Sequence, residues 1–286
     1  MDELYIKVSN ATKRVLYQYM KNADIPLLNY NFDYFFQHCI QKHQIQVISH
    51  HFSNHKIEGL TVVDKLGTSF SYERDDLKVK QSFTLCHELG HFILKHDGNY
   101  FAESIDNQEN LLEREANVFS AVVLMPDIVL LSKIYYSCET FHQVQNSLAV
   151  SKQALFFRLL DFLREYYPGK DSEIKQAVET YIEGKNASIF RLFHDIREQI
   201  IEEFHQFQPS LINQVKKRVS EVGFATSLEY PDLLNQANWK AIKASNINIK
   251  TWLVYNKGKS IAYVWDKEKF SDEEARKKAE IQLLLL

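Results

Sequence analysis

Two histidines and a glutamate lie within one short segment, His87-Glu88-Leu89-Gly90-His91. Side chains four residues apart on a helix project from the same face, so both imidazoles can reach one metal ion if this segment is helical. Imidazoles are common zinc ligands, and a glutamate beside them is placed to take a proton from a water molecule on the metal. The spacing therefore predicts a hydrolytic zinc site with Glu88 as the general base.

A third zinc ligand must come from further along the chain, because a catalytic zinc site usually has three protein ligands and one position left for water. His96 and Asp97 follow His91 most closely. However, Leu94 occupies the position where a sharp turn after the second histidine would need glycine, and the next glycine, Gly98, comes after both candidates. The chain therefore has little room to return these side chains to the metal.

Glu113 is the better candidate for the third ligand, because a second helix packed antiparallel to the first would direct it at the metal. Asn117 lies one turn further along the same face. Its side-chain carbonyl can accept a hydrogen bond from a ligand imidazole and fix the tautomer of that ring. Ala116 is small where the two helices must approach. Glu115 lies about 200 degrees around the helix from Glu113, so the two carboxylates do not both face the metal.

The motif and its surroundings resemble the ImmA/IrrE family of metallopeptidases in their order and approximate spacing. The matching segments are Phe83-Thr84-Leu85-Cys86-His87-Glu88-Leu89-Gly90-His91, then Glu113-Arg114-Glu115-Ala116-Asn117-Val118-Phe119-Ser120-Ala121, then Leu124-Met125-Pro126. The resemblance covers about residues 11–163. Cys86 and Ser120 stand where the family more often has alanine, and both are small-for-small departures.

The resemblance implies a cytoplasmic zinc peptidase from a bacterium, phage or mobile element. Such enzymes cleave a protein substrate, typically a helix-turn-helix transcriptional repressor, and thereby relieve repression. By motif, zinc binding falls to His87, His91 and Glu113, and catalysis falls to Glu88. No residue stands out as the stabiliser of the oxyanion, for which Tyr100, Arg114 and His96 are the candidates within reach.

Composition and charge place the chain among soluble proteins of two domains. Its 286 residues exceed the common size of one domain. The net charge of −3 gives no electrostatic argument for binding nucleic acid or a membrane, and no run of about 18 apolar residues predicts a transmembrane helix. The three cysteines form no disulfide pattern, and the N-terminus lacks the apolar stretch of a signal peptide. A cytoplasmic location is therefore expected.

Hydrophobic periodicity predicts an α+β fold, in which a helix-rich domain with a small sheet is followed by a second domain of helices and a β-hairpin. The resemblance implies that the first of these is a zincin-like metallopeptidase domain. Helices are predicted at about 11–23, 32–42, 78–95, 111–124, 127–136, 141–148, 151–166, 172–184, 187–207 and 210–221, and strands at 44–49, 57–63, 68–72, 251–255 and 260–265. The strand at 68–72 is expected to offer an edge to an extended substrate. Gly98 is predicted to cap the motif helix, and Ser271 with Glu274 to cap the last helix.

The predicted domain boundary is the turn Tyr167-Pro168-Gly169, where proline and glycine meet in a polar run. It separates a metallopeptidase domain, residues 1–167, from a C-terminal domain, residues 168–286, whose expected role is to sense a signal or recruit the substrate.

Two other functions are open at this point. The chain could bind zinc as an interaction module or a toxin–antitoxin-like component without turnover, or it could regulate DNA directly. The intact Glu88 disfavours the first, because a structural zinc site needs no general base. The net charge of −3 and the lack of a basic stripe disfavour the second.

Overall fold

The structure, a computed structural model, describes residues 3–51, 57–96, 100–104 and 110–284. Contacts divide the chain into two compact units, Met1–Phe207 and Gln208–Leu286. A four-stranded sheet lies in the first unit and a three-stranded sheet in the second, among helices in both cases. The predicted α+β class is confirmed.

The first unit holds nine of the helices that the structure describes and the larger sheet. Its helices are α1 (Glu3–Ala23), α2 (Phe32–His43), α3 (Lys78–Leu94), α4 (Leu111–Leu124), α5 (Asp127–Leu130), α6 (Phe141–Ser147), α7 (Lys152–Tyr166), α8 (Asp171–Ile182) and α9 (Ala187–His205). Its strands are β1 (Gln46–His50), β2 (Ile57–Asp64), β3 (Gly67–Glu73) and β4 (Tyr100–Ser104). A π-helical turn, Leu131–Tyr136, continues α5.

The sheet of the first unit has the strand order β1-β3-β2-β4. β3 pairs with β1 in parallel and with β2 in antiparallel orientation. The expectation that the strand at 68–72 offers a free edge is therefore wrong, because both sides of β3 are already hydrogen-bonded. Within the described residues the edges are β1 and β4, and β4 was not among the strands predicted from the sequence.

The motif helix α3 ends earlier than its expected glycine cap. Lys95 ends the helix in the left-handed conformation, with φ of 58°, and its N–H returns to the carbonyl of His91. Gly98, the predicted cap, lies outside the described residues. α4 begins after Asn110, whose side chain accepts a hydrogen bond from the N–H of Leu112. Both helices that matter for the site thus have defined ends in the hydrogen-bonding pattern of their backbones.

The first unit extends about one helical hairpin beyond the predicted boundary at 167/168. Ile174 and Val178 of α8, with Ile189 and Phe193 of α9, are buried in the same apolar core as the helices before them. The Pro168-Gly169 turn therefore joins two packed helices, α7 and α8, and the division between the units falls after Phe207 instead. A proline–glycine pair marks a turn, but the burial on either side decides whether it separates domains.

A cluster of charged side chains is buried where α1, α5 and α7 meet. Lys13 Nζ lies 2.6 Å from Asp127 Oδ2, and Arg158 donates a hydrogen bond to Asp127. Burial raises the pKa of the Asp127 carboxyl, but the charges of Lys13 and Arg158 outweigh that effect and lower it. Arg158 Nε also donates to the carbonyl of Met125, 3.1 Å away, at the end of α4. The cluster therefore fixes the end of the helix that carries Glu113.

The segment Leu111–Tyr136 is long and apolar enough to cross a membrane by length and composition, but 83% of its most apolar window is buried inside the protein. Its apolar side chains belong to the core of the first unit. Burial of this kind is typical of a core helix in a globular protein.

The second unit is a small sheet with helices. Its elements are α10 (Leu211–Val222), β5 (Phe224–Thr226), α11 (Gln236–Ser245), β6 (Ile249–Asn256), β7 (Lys259–Asp266) and α12 (Asp272–Leu284). The predicted hairpin is confirmed as β6 and β7, and β5 extends the sheet in the order β5-β7-β6. The predicted capping box is also confirmed, since Ser271 N–H donates to Glu274 Oε2 at 2.9 Å and Glu274 N–H donates to Ser271 Oγ at 3.2 Å.

Candidate metal centre

Helix α3 brings the two motif histidines together on one buried face. His87 Nε2 and His91 Nε2 are 3.0 Å apart, and both rings are almost fully buried. The two residues are one helical turn apart, which is the geometry that their four-residue spacing predicts. Both Nε2 atoms therefore point at the same small volume.

Helix α4 supplies a carboxylate to this volume. Glu113 Oε2 lies 2.9 Å from His87 Nε2, and Glu113 Oε1 lies 3.6 Å from His91 Nε2. Burial raises the pKa of the Glu113 carboxyl, but hydrogen bonds from His87 and His91 outweigh that effect and lower the pKa to about 2. The carboxylate is therefore ionised at neutral pH, as a metal ligand must be.

The donor atoms of these three residues fit a tetrahedral metal site. Ligands at about 2.0–2.1 Å from a tetrahedral zinc ion lie about 3.3 Å from one another. The separations among His87, His91 and Glu113 are 2.9, 3.0 and 3.6 Å. Two imidazoles and one carboxylate are also the donor set of several hydrolytic zinc enzymes. These residues could therefore hold zinc, and they include no fourth side-chain ligand.

Asn117 contacts the outer side of the first histidine. Asn117 Oδ1 lies 3.0 Å from His87 Nδ1. The amide oxygen accepts a hydrogen bond from the N–H at Nδ1, which leaves the lone pair on Nε2 directed into the centre. This is the arrangement expected from the position of Asn117, one turn after Glu113.

Glu88 follows His87 in α3, and its side chain is held from strand β2. It is fully buried, and Thr61 Oγ1 donates a hydrogen bond to Glu88 Oε2 at 2.5 Å. The backbone of Gly59 on the same strand packs closely against this side chain: a Cβ at Gly59 would lie 2.5 Å from Glu88 Oε1. Strand β2 thus sets the position of the carboxylate that the sequence assigns to proton transfer.

Small residues allow α3 and α4 to approach closely. A Cβ at Gly90 would lie 3.0 Å from the Phe119 ring and 3.3 Å from the Cα of Ala116. Ala116 is fully buried at the same contact. The spacing between the helix that carries both histidines and the helix that carries Glu113 therefore depends on these two small residues.

The other sequence candidates lie outside the centre. His96 contacts the outer nitrogen of His91 rather than the shared volume, and Glu115 contacts His96. Arg114 lines a cavity with Asn117 and none of the three candidate ligands. Asp97 and the side chain of Tyr100 lie outside the described parts of the chain. The His96–Glu115 contact was not expected from sequence, because it forms only once α4 packs against the end of α3.

A second group of ligand-type side chains lies at the ends of β1 and β3. His51 Nδ1 is 3.0 Å from Glu73 Oε1 and 3.2 Å from Asp75 Oδ2. His51 and Asp75 are exposed. Ion pairs of this kind form at strand ends without a metal, so we interpret the group as a surface ion pair.

Comparison with known proteins finds a peptidase family that matches part of the first unit. A peptidase family model described as IrrE N-terminal-like domain matches residues 40–160. The matched segment contains all three candidate ligands together with Glu88 and Asn117. None of the curated proteins matches the chain.

Proposed function

We propose that this protein is a zinc-dependent endopeptidase of the ImmA/IrrE family that cleaves a transcriptional regulator, specifically a helix-turn-helix repressor, and so relieves repression. The match of residues 40–160 to the IrrE N-terminal-like peptidase model supports the family. The observation that carries the proposal is the convergence of His87, His91 and Glu113 beside the buried Glu88. A metal cofactor follows from the family, and the donor set favours zinc.

Each residue of the centre has a distinct part in peptide hydrolysis. When bound, zinc supplies a Lewis acid that polarises the scissile carbonyl and makes a water molecule more acidic. Glu88, positioned by Thr61, accepts the proton of the attacking water and passes it to the leaving amine. Asn117 holds His87 in the tautomer that presents Nε2 to the metal.

Strand β4 is the edge at which we place an extended substrate. Within the described residues β4 pairs only with β2, and Phe101 of β4 is in register with Thr61 of β2. Adjacent strands lie about 4.8 Å apart, so β4 is one strand away from the strand that holds Glu88. A peptide added to β4 would need to be extended, which favours a loop or a locally unfolded segment of the repressor as the cleaved site.

Incubation with a repressor tests the proposed function directly. The protein, loaded with zinc, is mixed with helix-turn-helix repressors, beginning with any that is encoded beside its gene, and the products are identified by mass spectrometry. We expect cleavage at one bond or a few, abolished by a chelator and restored by added zinc. Zinc binding without cleavage of any repressor would instead favour an interaction module or a toxin–antitoxin-like component.

The pH dependence of zinc affinity follows from the ionisation of the ligands. Burial lowers the pKa of His91 from its usual 6.5, and a hydrogen bond with Glu113 offsets part of this shift. Glu113, with a pKa of about 2, stays ionised between pH 5 and 8. We therefore expect nearly constant affinity above pH 6.5 and a decline below it, as imidazole protonation competes with the metal.

Competition with a chelator between pH 5 and 8, corrected for protonation of the chelator, measures this dependence. Glu113→Gln should bind zinc more weakly at every pH, and the decline should begin at a lower pH, because the carboxylate that raises the pKa of His91 is gone. A wild-type affinity that changes tenfold between pH 7 and 8 would contradict the assignment.

Gly59→Ala tests the positioning of Glu88. The added methyl would overlap Glu88 Oε1 and the methyl group of Thr84, each 2.5 Å away, and would displace the carboxylate. Because a misplacement of about 1 Å can cost about 100-fold in rate, we expect kcat to fall by roughly that factor. Zinc affinity should change much less than kcat, because neither side chain that the methyl overlaps is a candidate ligand.

Val63→Ala is the control for the Gly59 variant, because Val63 is an exposed residue on the same strand. It should retain wild-type kcat. Equal kcat for Gly59→Ala and wild type would show that β2 does not position Glu88.

A further inference from the structure

Two side chains outside the metal centre form a chain of hydrogen bonds that ends at a candidate ligand. His91 Nδ1 lies 2.8 Å from His96 Nδ1, and His96 Nε2 lies 2.9 Å from Glu115 Oε2. The His96 side chain is 3% exposed and that of Glu115 is 14% exposed. The contacts are therefore largely shielded from water. In such surroundings, hydrogen bonds to a charged group are stronger than they are in water.

The proton positions along this chain follow from which atoms can donate. When Nε2 of His91 coordinates a metal, the ring proton of His91 is on Nδ1. That N–H donates to Nδ1 of His96, so the proton of a neutral His96 ring is on Nε2. The N–H at Nε2 in turn donates to Glu115, whose ionised carboxylate can only accept. Every link then has one donor and one acceptor, and the carboxylate sets the direction of all of them.

The two histidines of the centre thus have different outer partners. Asn117 accepts directly from Nδ1 of His87, whereas Glu115 acts on His91 through the ring of His96. Glu115 lies on a different face of α4 from Glu113 and cannot reach the metal volume. Glu115 therefore influences His91 only through the imidazole of His96, which lies between them.

We propose that His96 and Glu115 are positioning residues that hold His91 in the tautomer and orientation needed to bind zinc. Outer partners of metal-bound histidines typically contribute about 10–100-fold to metal affinity or activity. The proposal rests on the zinc site proposed above. It gives His96 and Glu115 a role at that site although neither of them binds the metal.

Zinc affinity, measured by chelator competition without any substrate, tests the proposal. His96→Ala and Glu115→Leu remove an acceptor, and we expect each to weaken zinc binding about 10–100-fold. Glu115→Gln keeps an oxygen that can accept from His96, so it should restore most of the affinity lost in Glu115→Leu. Lys7→Met is the matched control, because Lys7 Nζ lies 4.0 Å from Glu115 but its side chain is 81% exposed. This control should bind zinc like wild type.

A spectroscopic readout separates positioning from a general loss of structure. In the zinc-loaded protein labelled with ¹⁵N-histidine, NMR should show His91 protonated at Nδ1 with slow exchange of that proton. In His96→Ala the exchange should become fast, while the His87 signals stay unchanged. Thermal unfolding of the metal-free variants, followed by circular dichroism, identifies any variant that fails to fold, and Glu115→Gln then carries the comparison.

The outcomes distinguish this proposal from the proposed function. Affinity and His91 signals that match wild type in both His96→Ala and Glu115→Leu, while His87→Ala loses zinc, would overturn the positioning role alone. The absorption spectrum of cobalt(II), bound in place of zinc, reports which groups coordinate the metal. If the spectrum of His96→Ala showed one imidazole ligand fewer than that of wild type, His96 would itself be a ligand and the positioning role would be overturned. Wild-type protein that binds no zinc would overturn both proposals. In a further outcome, wild type binds zinc tightly, the His96 and Glu115 variants bind it more weakly, and no repressor is cleaved. This outcome would support the positioning role and overturn only the peptidase function.

Discussion

Replacing Glu88 with glutamine is expected to lower kcat/KM for repressor cleavage by about 10²–10⁴-fold, the range that a positioned general base contributes. Glutamine keeps the size of the side chain and can still accept the hydrogen bond from Thr61, which lies 2.5 Å from the carboxylate. It cannot take a proton from water at neutral pH. The variant should therefore keep the fold and the metal centre and lose only the proton transfer.

Two measurements on the Glu88→Gln protein isolate the chemical step. Zinc affinity by chelator competition should match wild type, because Glu88 is not among the three converging ligands. Cleavage is followed by mass spectrometry under single-turnover conditions. Glu58→Gln is the matched control, because it also replaces one carboxylate with an amide, but on β2. There Glu58 pairs with Lys80 at 2.7 Å. Glu88→Gln that cleaves as fast as the control would exclude Glu88 as the base.

Asp127→Ala is expected to destabilise the first unit by about 3–5 kcal/mol, because removing one partner leaves buried charge uncompensated. The carboxylate of Asp127 is fully buried and bridges Lys13, 2.6 Å away, and Arg158. Its lowered pKa means that this stabilisation is complete above pH 3.8 and is lost as the pH falls through the folded-state value. Urea unfolding at pH 7, followed by circular dichroism, measures the effect.

The distribution of tryptophan helps to assign that loss to one unit. All three tryptophans, Trp239, Trp252 and Trp265, lie in the second unit. We expect the circular dichroism transition to shift in Asp127→Ala while the tryptophan fluorescence transition stays in place. Asp171→Asn is the control, because Asp171 pairs with Arg164 at 2.6 Å but is 66% exposed, and it should cost less than about 1 kcal/mol. If both variants lost the same free energy of unfolding, burial of the charged cluster would contribute little to the stability of the first unit.

Local spacing was sufficient to predict which side chains lie together at the candidate metal centre. The four-residue interval between His87 and His91 constrains both rings to one face of α3, and the same interval places Asn117 on the face of Glu113. The alternation of apolar residues likewise predicted β2, β3 and the hairpin of the second unit. Each of these features depends on residues close together in the sequence, where the helical or strand period determines the geometry.

Features that depend on packing between distant segments were not predicted. The contact between His96 and Glu115 joins residues from two helices, and sequence alone gave no reason to pair them. β4 is only five residues long, Tyr100–Ser104, which is too short for a clear pattern, and its pairing with β2 is what identifies it as a strand. The domain boundary was misplaced because a turn signal at Pro168-Gly169 carries no information on whether the helices around it share a core.

The close contact at Gly90 has a consequence for which ions this centre can accept. Both imidazoles come from α3 and the carboxylate comes from α4, so the distance between two helix axes determines the radius of cation that fits among them. Phe119 and Ala116 leave too little room for a side chain at Gly90, since a Cβ there would lie 3.0 and 3.3 Å from them. A larger side chain there would move α4 away from α3 without changing any candidate ligand, so selectivity for ionic size can be altered at the contact between the two helices, at a residue that is not among those ligands.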